Sequence, residues 1–290
     1  MSTTIQRSVA EHAEEAARAA AARAGIEIAR VTTSEESRRV ASLLSEIWAT
    51  GEERPPVPAE IIRAMTHAGG YAAAATSGGE LVGASFALFG LDGNGLNLHS
   101  FITGVKEGYR SGSVGFAMKQ DQRAWALARG VGMITWTFDP LVRRNAYFNL
   151  VKLGAEAAAF APDFYGAMDD GLNAGDESDR IWIEWDLGSP RAVAASRLEP
   201  EAVDVAALEA EGALRRLRVG GDGEPVLEPG RGPIELVQVP EDIVAARAAD
   251  PRLGLAWRRA LRETLGGAFS DGYRATGITR DGWYVLRLTP

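Results

Sequence analysis

A run of small residues, Arg110-Ser111-Gly112-Ser113-Val114-Gly115, leads directly into an amphipathic segment that starts at Val114. Small side chains let a backbone approach an anion closely. The first N–H groups of a helix are unpaired and lie at the positive end of its dipole, which suits a phosphate. The alternative is a flexible turn that merely starts a helix; neither the GxGxxG dinucleotide pattern nor the P-loop pattern is present. Just upstream, His99 lies in Leu96 to Val105, which reads as a strand, and alternation predicts it on one face with Phe101, Thr103 and Val105. With an ordinary pKa of about 6.5, an imidazole removes protons near neutrality. His99 is therefore a candidate general base, the alternative being a hydrogen-bonded structural histidine.

Other polar residues carry two readings each. Asp139 follows a strand end and precedes Pro140, so it either holds a substrate ammonium or caps a turn. Arg180 and Arg143 either clasp a carboxylate through bidentate contacts or are solvated. Asn145 and Asn149, near a helix start, bind a ligand or satisfy local backbone groups. Tyr147 and Tyr165 are either proton donors or packing residues with satisfied hydroxyls. Trp48, Trp125, Trp136 and Trp257 are assigned to packing. There is no cysteine, and the three histidines, His12, His67 and His99, are too few and too scattered to predict a metal site.

These residues sit on a legible succession of elements. An Ala-rich segment, residues 1–25, is predicted to be an exposed N-terminal helix. Ile26 to Val31 alternates like a strand, and Thr33 or Ser34 can cap a helix carrying Val40, Leu43, Leu44, Ile47 and Trp48. Pro58 starts a second short helix. Tyr71 to Thr76 and Leu81 to Leu91 form a predicted hairpin around Gly78-Gly79. Further strands are expected over Leu96 to Val105, Met133 to Phe138, Ala155 to Ala161 and Arg180 to Leu187, with helices from Val114 and over Asn145 to Leu153. This order implies an α/β chain of the α+β type, with a mixed, mostly antiparallel sheet flanked by helices. Gly188-Ser189-Pro190 marks the expected boundary between a larger domain, 26–188, and a smaller C-terminal α/β unit, 189–290. In the latter, Ile234 to Val239, a helix from Pro251 to Leu265 and a strand over Tyr284 to Leu288 are expected.

At 290 residues, 46% hydrophobic and 24% charged, the composition is that of a globular protein. No apolar run approaches the ~20 residues of a membrane span, so no membrane partner is expected. A net charge of −8 argues against nucleic acid, because binding phosphates broadly needs clustered Lys and Arg. Residues 1–25 lack a secretory signal pattern, which points to the cytoplasm.

The segment after Val105 resembles the acyl-CoA loop of the GNAT superfamily of N-acyltransferases. That loop has Arg or Gln, two residues, Gly, one residue, then Gly or Ala, following a strand that ends in Val. Arg110, Ser111, Gly112, Ser113, Val114 and Gly115 follow it, with Ser113 where the family usually has Gly. The resemblance covers about Ile26 to Leu187. Leu98-His99-Ser100, Lys119 to Leu127, Thr135 to Leu141, Asn145 to Leu150, Asp163-Phe164-Tyr165-Gly166 and Asp179-Arg180 are similar to a branch of predicted acetyltransferases sometimes found with N-succinylamino acid racemases.

The resemblance implies transfer of an acyl group from acetyl-CoA or succinyl-CoA to a small amine or amino acid, without a metal. The pantetheine arm would run beside Thr103 and Val105 and the pyrophosphate would sit at residues 110–115, with Asn145 also on the CoA side. His99, Tyr147 and Asn149 would be the catalytic candidates, and Asp139, Tyr165 and Arg180 the acceptor-binding ones. The Tyr that serves as acid in many members is replaced by Leu150. The last hundred residues either cover the acceptor site or make a homodimer contact. Other reactions on acyl-CoA, such as decarboxylation or O-acyl transfer, and binding without turnover are the competing readings.

Overall fold

A computed structural model of the chain describes residues 3–51, 53–93, 95–166 and 177–289. The first two residues of the expected N-terminal helix and the last of the expected C-terminal unit lie outside them. In chain order the elements are α1 (Thr3–Ala24), β1 (Glu27–Arg30), α2 (Ser34–Trp48), α3 (Ala59–His67), β2 (Tyr71–Ser77), β3 (Glu80–Asp92), β4 (Gly95–Val105), α4 (Val114–Leu127), β5 (Met133–Phe138), α5 (Arg143–Tyr147), β6 (Glu156–Ala161), β7 (Arg180–Asp186) and α6 (Pro190–Ser196). They continue with α7 (Val205–Ala210), β8 (Leu214–Val219), β9 (Pro225–Leu227), β10 (Ile234–Gln238), α8 (Ile243–Ala249), α9 (Pro251–Leu261), α10 (Gly267–Ser270), β11 (Tyr273–Ile278) and β12 (Trp283–Leu288). The chain forms two compact units that interleave along the sequence. Residues 3–136 and 186–197 belong to the first; residues 137–166, 177–185 and 198–289 belong to the second. The packing thus divides the chain elsewhere than at the expected 188/189 boundary.

In the first unit the strand order is β1-β2-β3-β4-β5, antiparallel except for the parallel pair β4 and β5. The start of α2 is fixed by a capping box: the Thr33 hydroxyl accepts from Glu36 N–H at 3.2 Å, and the Glu36 carboxylate accepts from Thr33 N–H at 2.9 Å. Gly78 and Gly79 turn the β2–β3 hairpin with φ of +57° and +85°, values that suit glycine. Val40, Leu43 and Leu44 of α2 and Ile62 of α3 pack on Ala72, Ala84, Phe86 and Ile102 to form one core. Gly104 carries no side chain because the Trp48 ring lies 2.5 Å from where its Cβ would stand.

On the other face, α4 is buried almost along its length, because α1 covers its outer side. Ala13 and Ala17 pack on Ala124 and Leu127, so the helix expected to be exposed is a packed element. Its alanines permit the close approach. Asp121, which interrupts the apolar face of α4, accepts from Arg30 at 2.8 Å and from the Tyr71 hydroxyl at 2.7 Å.

In the second unit the strand order is β7-β6-β11-β12-β10-β8-β9, antiparallel except between β10 and β8. The mixed, mostly antiparallel α/β architecture expected from the sequence is the one observed. The expected helix from Asn145 to Leu153 is instead α5 followed by a π-helical turn, Phe148–Lys152. β11 was not anticipated, nor were α6 and α8. Trp257 is fully buried and its indole donates to the Gly223 carbonyl at 2.9 Å. Among the described residues no helix is long and apolar enough to cross a membrane.

Candidate functional site

Strand β4 has an irregular middle that shapes the first unit's site. Phe86 pairs with Ile102 but Leu88 pairs with His99, so Ala87 alone faces Ser100 and Phe101, a β-bulge. The bulge resets the alternation, and the face expected to combine His99, Phe101, Thr103 and Val105 does not exist. Thr103 meets Ser85 at 2.8 Å, and Ser85 accepts from Gln122 of α4 at 3.4 Å, which puts Thr103 on the α4 side. Ser100 also faces α4, bonded to Lys119 at 2.7 Å, and so its neighbour His99 faces away from that helix.

β4 and β5 part at the same place. They pair in parallel only at Leu98–Ile134 and His99–Thr135. Beyond this fork β4 runs on to Val105, hydrogen-bonded to β3 on one side and, among the described residues, to no strand on the other. Among the described residues that edge has no strand partner over six residues, about 20 Å of strand.

Past Val105 the chain makes a short 3₁₀ turn, Glu107–Tyr109, and enters α4. Glu80 braces the turn, accepting from Lys106 and from the Tyr109 hydroxyl, each at 3.1 Å. Arg110 donates through Nε to the Val105 carbonyl at 3.2 Å and is otherwise exposed. Ser113, the residue before α4, has φ +63° and ψ 10°, and no side chain caps the helix. The first-turn N–H groups of α4 therefore point outward without intrahelical partners. The left-handed backbone explains why glycine would suit this position. Ser113→Gly removes a strain of about 1–2 kcal/mol and adds about 0.4–1 kcal/mol of unfolded-state entropy. Chemical denaturation is therefore expected to show a net gain of about 0.5–1 kcal/mol.

At the fork, His99 is half-buried and its Nδ1 lies 3.1 Å from the Thr135 hydroxyl. Burial, and secondarily the Lys119 charge, hold its pKa below the usual imidazole value, favouring the neutral base. Lys119, which the sequence reading passed over, is buried on α4; desolvation lowers its pKa to about 7. Its signal was the polar run Lys119-Gln120-Asp121-Gln122-Arg123 inside an otherwise apolar helix. A cleft of about 470 Å³ also opens in this unit, lined by Ser34, Arg38, Glu60, Arg63 and His67 of α2 and α3. None of its lining residues is on β4 or α4.

The remaining candidates lie in the second unit. Both Asp139 oxygens are taken by Arg258 at 2.8 Å, and Oδ1 also accepts from Leu141 N–H at 2.9 Å. Asp139 thus ties the turn after β5 to Arg258 and to the Leu141 N–H. Tyr165 is half exposed, lies 3.2 Å from the Thr137 hydroxyl, and has the Arg180 guanidinium 5.4 Å from its ring. These two candidates are brought together. Arg180 is buried and donates to the Asp179 carbonyl at 2.9 Å. Tyr147 lies under Arg280, 5.5 Å from ring centroid to guanidinium, Asn149 is buried and Asn145 is exposed. Arg143 pairs with Glu241 at 3.3 Å. Leu150 is fully buried in the π turn. Among the described residues no group of three or more His, Asp or Glu is placed to hold a metal ion.

No family model matches the chain, and no curated protein matches it. Solved structures similar to it include a GNAT-family acetyltransferase from Streptococcus pneumoniae, 11% identical, with 55% of this chain and 98% of that one covered and a TM-score of 0.45. An aminoglycoside 6'-acetyltransferase of type Ii is 18% identical, with 57% and 99% covered and a TM-score of 0.42. A GNAT-family acetyltransferase from Elizabethkingia anophelis with acetyl-CoA bound is 13% identical, with 56% and 98% covered and a TM-score of 0.41.

Proposed function

We propose that the protein transfers an acyl group from acetyl- or succinyl-CoA to the amine of an amino acid or another small molecule, with both substrates bound together. One observation carries this reading: the unpaired edge of β4 runs from the fork at His99 to the uncapped start of α4. An extended donor with a pyrophosphate at one end and amides along its length matches such a track. Its phosphates would meet the N–H groups at the start of α4, Ser113 to Gly115, within the loop 110–115, its amides the edge from Thr103 to Val105, and its thioester would reach His99. Holding an amine against a thioester supplies much of the rate by proximity, and a neutral imidazole takes the surplus proton of the attacking amine. The resemblance in the loop, Arg110 to Gly115, supports the same donor. Tyr147, Asn149 and Asn145, and Tyr165 with Arg180 on the acceptor side, belong to this reading as further candidates, as does a cytoplasmic location.

Binding without turnover is the second reading, favoured by Leu150, whose full burial leaves no acid where the family's Tyr would stand. The test incubates the protein with acetyl-, succinyl- and malonyl-CoA and a panel of amines and amino acids while free thiol is followed by absorbance. Thiol release that requires an amine is the expected result. Release accompanied by carbon dioxide indicates decarboxylation, and binding without release favours the second reading.

A further inference from the structure

We propose that Lys119 is the proton donor and charge partner of the departing thiolate, placed by a side chain that closes the fork between β4 and β5. The inference rests on the acyl-transfer reading and supplies the acid that Leu150 cannot.

The fork itself gives the geometry. His99 and Thr135 are the last paired residues, and the next residue on each strand, Ser100 and Trp136, touches the same ammonium. Lys119 Nζ donates to the Ser100 hydroxyl at 2.7 Å and lies 4.0 Å from the centroid of the Trp136 ring. It reaches the fork from the α4 side, whereas His99 faces the other way, so a thioester carried along the β4 edge arrives between a base and an acid. An ammonium has three N–H donors. Two are used, by Ser100 and by Gln122 Oε1 at 3.3 Å, and among the described residues the third meets only the Trp136 ring. Gln122 is held in turn by Ser85, which contacts Thr103, so the ammonium is fixed to the same strand that carries the free edge.

No carboxylate among the described residues lies within ion-pair distance of Nζ. A buried cation without a counter-charge is costly, and stabilising an anion that forms next to it offsets that cost. Desolvation, which brings the group to about 7, also makes its proton easy to release near neutrality. In the step, the acceptor nitrogen bonds to the thioester carbon and the C–S bond breaks with its electron pair on sulfur. Nζ passes a proton to sulfur, the acceptor's surplus proton goes to the His99 imidazole, and CoA leaves as the thiol. The His99 imidazolium then releases its proton to solvent and Lys119 takes one up, so the cycle is proton-neutral.

The test compares wild type with Lys119→Met, which keeps the length and removes the charge, using two donors. One is the acyl-CoA; the other is the same acyl group on p-nitrothiophenol, whose thiolate leaves without help. The variant is expected to lose about 10²–10⁴-fold in kcat with acyl-CoA and to stay within a few-fold of wild type with the activated thioester. An equal loss with both donors overturns the proposal, as does no loss with either. Ser100→Ala, which removes one partner of Nζ, is expected to lose about tenfold with acyl-CoA alone.

A second readout needs no turnover: ultraviolet titration of the thiol of bound CoA. The thiol is expected to ionise at lower pH on the wild-type protein than in free CoA, and at the free value on Lys119→Met. Identical titrations on the two proteins overturn the proposal. A lowered thiol titration without amine-dependent release sinks the acyl-transfer reading while upholding Lys119 as the thiolate's partner.

Discussion

His99→Gln is expected to lower amine-dependent thiol release by about 10²–10⁴-fold, the usual worth of a positioned general base, while the affinity for CoA stays as it was. The two outcomes separate because the groups are separate. The phosphates would be held by backbone N–H groups at the start of α4, and the side chain of His99 lies at the far end of the free edge of β4. Glutamine keeps a polar group beside Thr135 and removes the titration. In the wild type the acid side of the pH profile should fall below the ordinary imidazole value of 6.5, because burial first and Lys119 second disfavour the imidazolium. As pH drops through that lowered value the base is lost and the rate falls; above it, the base is fully available. Thiol release measured across pH on both proteins, with CoA binding by calorimetry, checks the claim. A variant within tenfold of wild type would remove His99 from the mechanism.

Arg258→Met is expected to cost about 3–5 kcal/mol of stability, because it removes both Arg258 contacts of the nearly buried Asp139 and leaves it the Leu141 N–H. Arg258 is 1% exposed and Asp139 13% exposed in their side chains, so water cannot replace the lost guanidinium. The double variant Arg258→Met with Asp139→Asn should recover much of the loss, since the uncompensated charge is then gone. Urea unfolding of the three variants measures this directly. The same series decides what Asp139 does. An effect confined to stability agrees with its bonds to Arg258 and Leu141; a raised KM for the acceptor at unchanged stability contradicts them.

Features set by neighbours in sequence were readable from the chain. The cap of α2, expected at Thr33 or Ser34 and found at Thr33, the turn at Gly78-Gly79 and the start of α4 at Val114 each depend on residues within a few positions. The bulge at Ser100 and Phe101 has no compositional mark, and simple alternation run through it puts His99 on the wrong face. β11 is built from Tyr273-Arg274-Ala275-Thr276-Gly277-Ile278, in which alanine and glycine are poor strand formers. Gly277 is there because a Cβ would stand 2.9 Å from Val203, a contact invisible locally. Burial of α1 was equally hidden, since an alanine-rich face becomes interior only once a partner helix is known. The meeting of Lys119 with Ser100 and Trp136 at the fork joins residues from three elements and leaves no local mark in the sequence. Nothing local in the sequence ties Asp139 to Arg258, 119 positions away.

The interleaving of the two units has a consequence for how the protein is made. The first unit needs residues 186–197, so it cannot be completed when residue 136 leaves the ribosome. Strand β6 emerges long before its partner β11: Glu156 waits for Arg274 across 118 positions. During that interval one edge of β6 has no partner, which is the condition under which chains pair with each other instead. Slow translation prolongs that exposure. A fragment ending at residue 188 makes it permanent, and it also removes α6, whose neighbour Arg197 donates to His12 on α1 at 3.1 Å. Soluble yield should therefore track how quickly β11 follows β6 out of the ribosome.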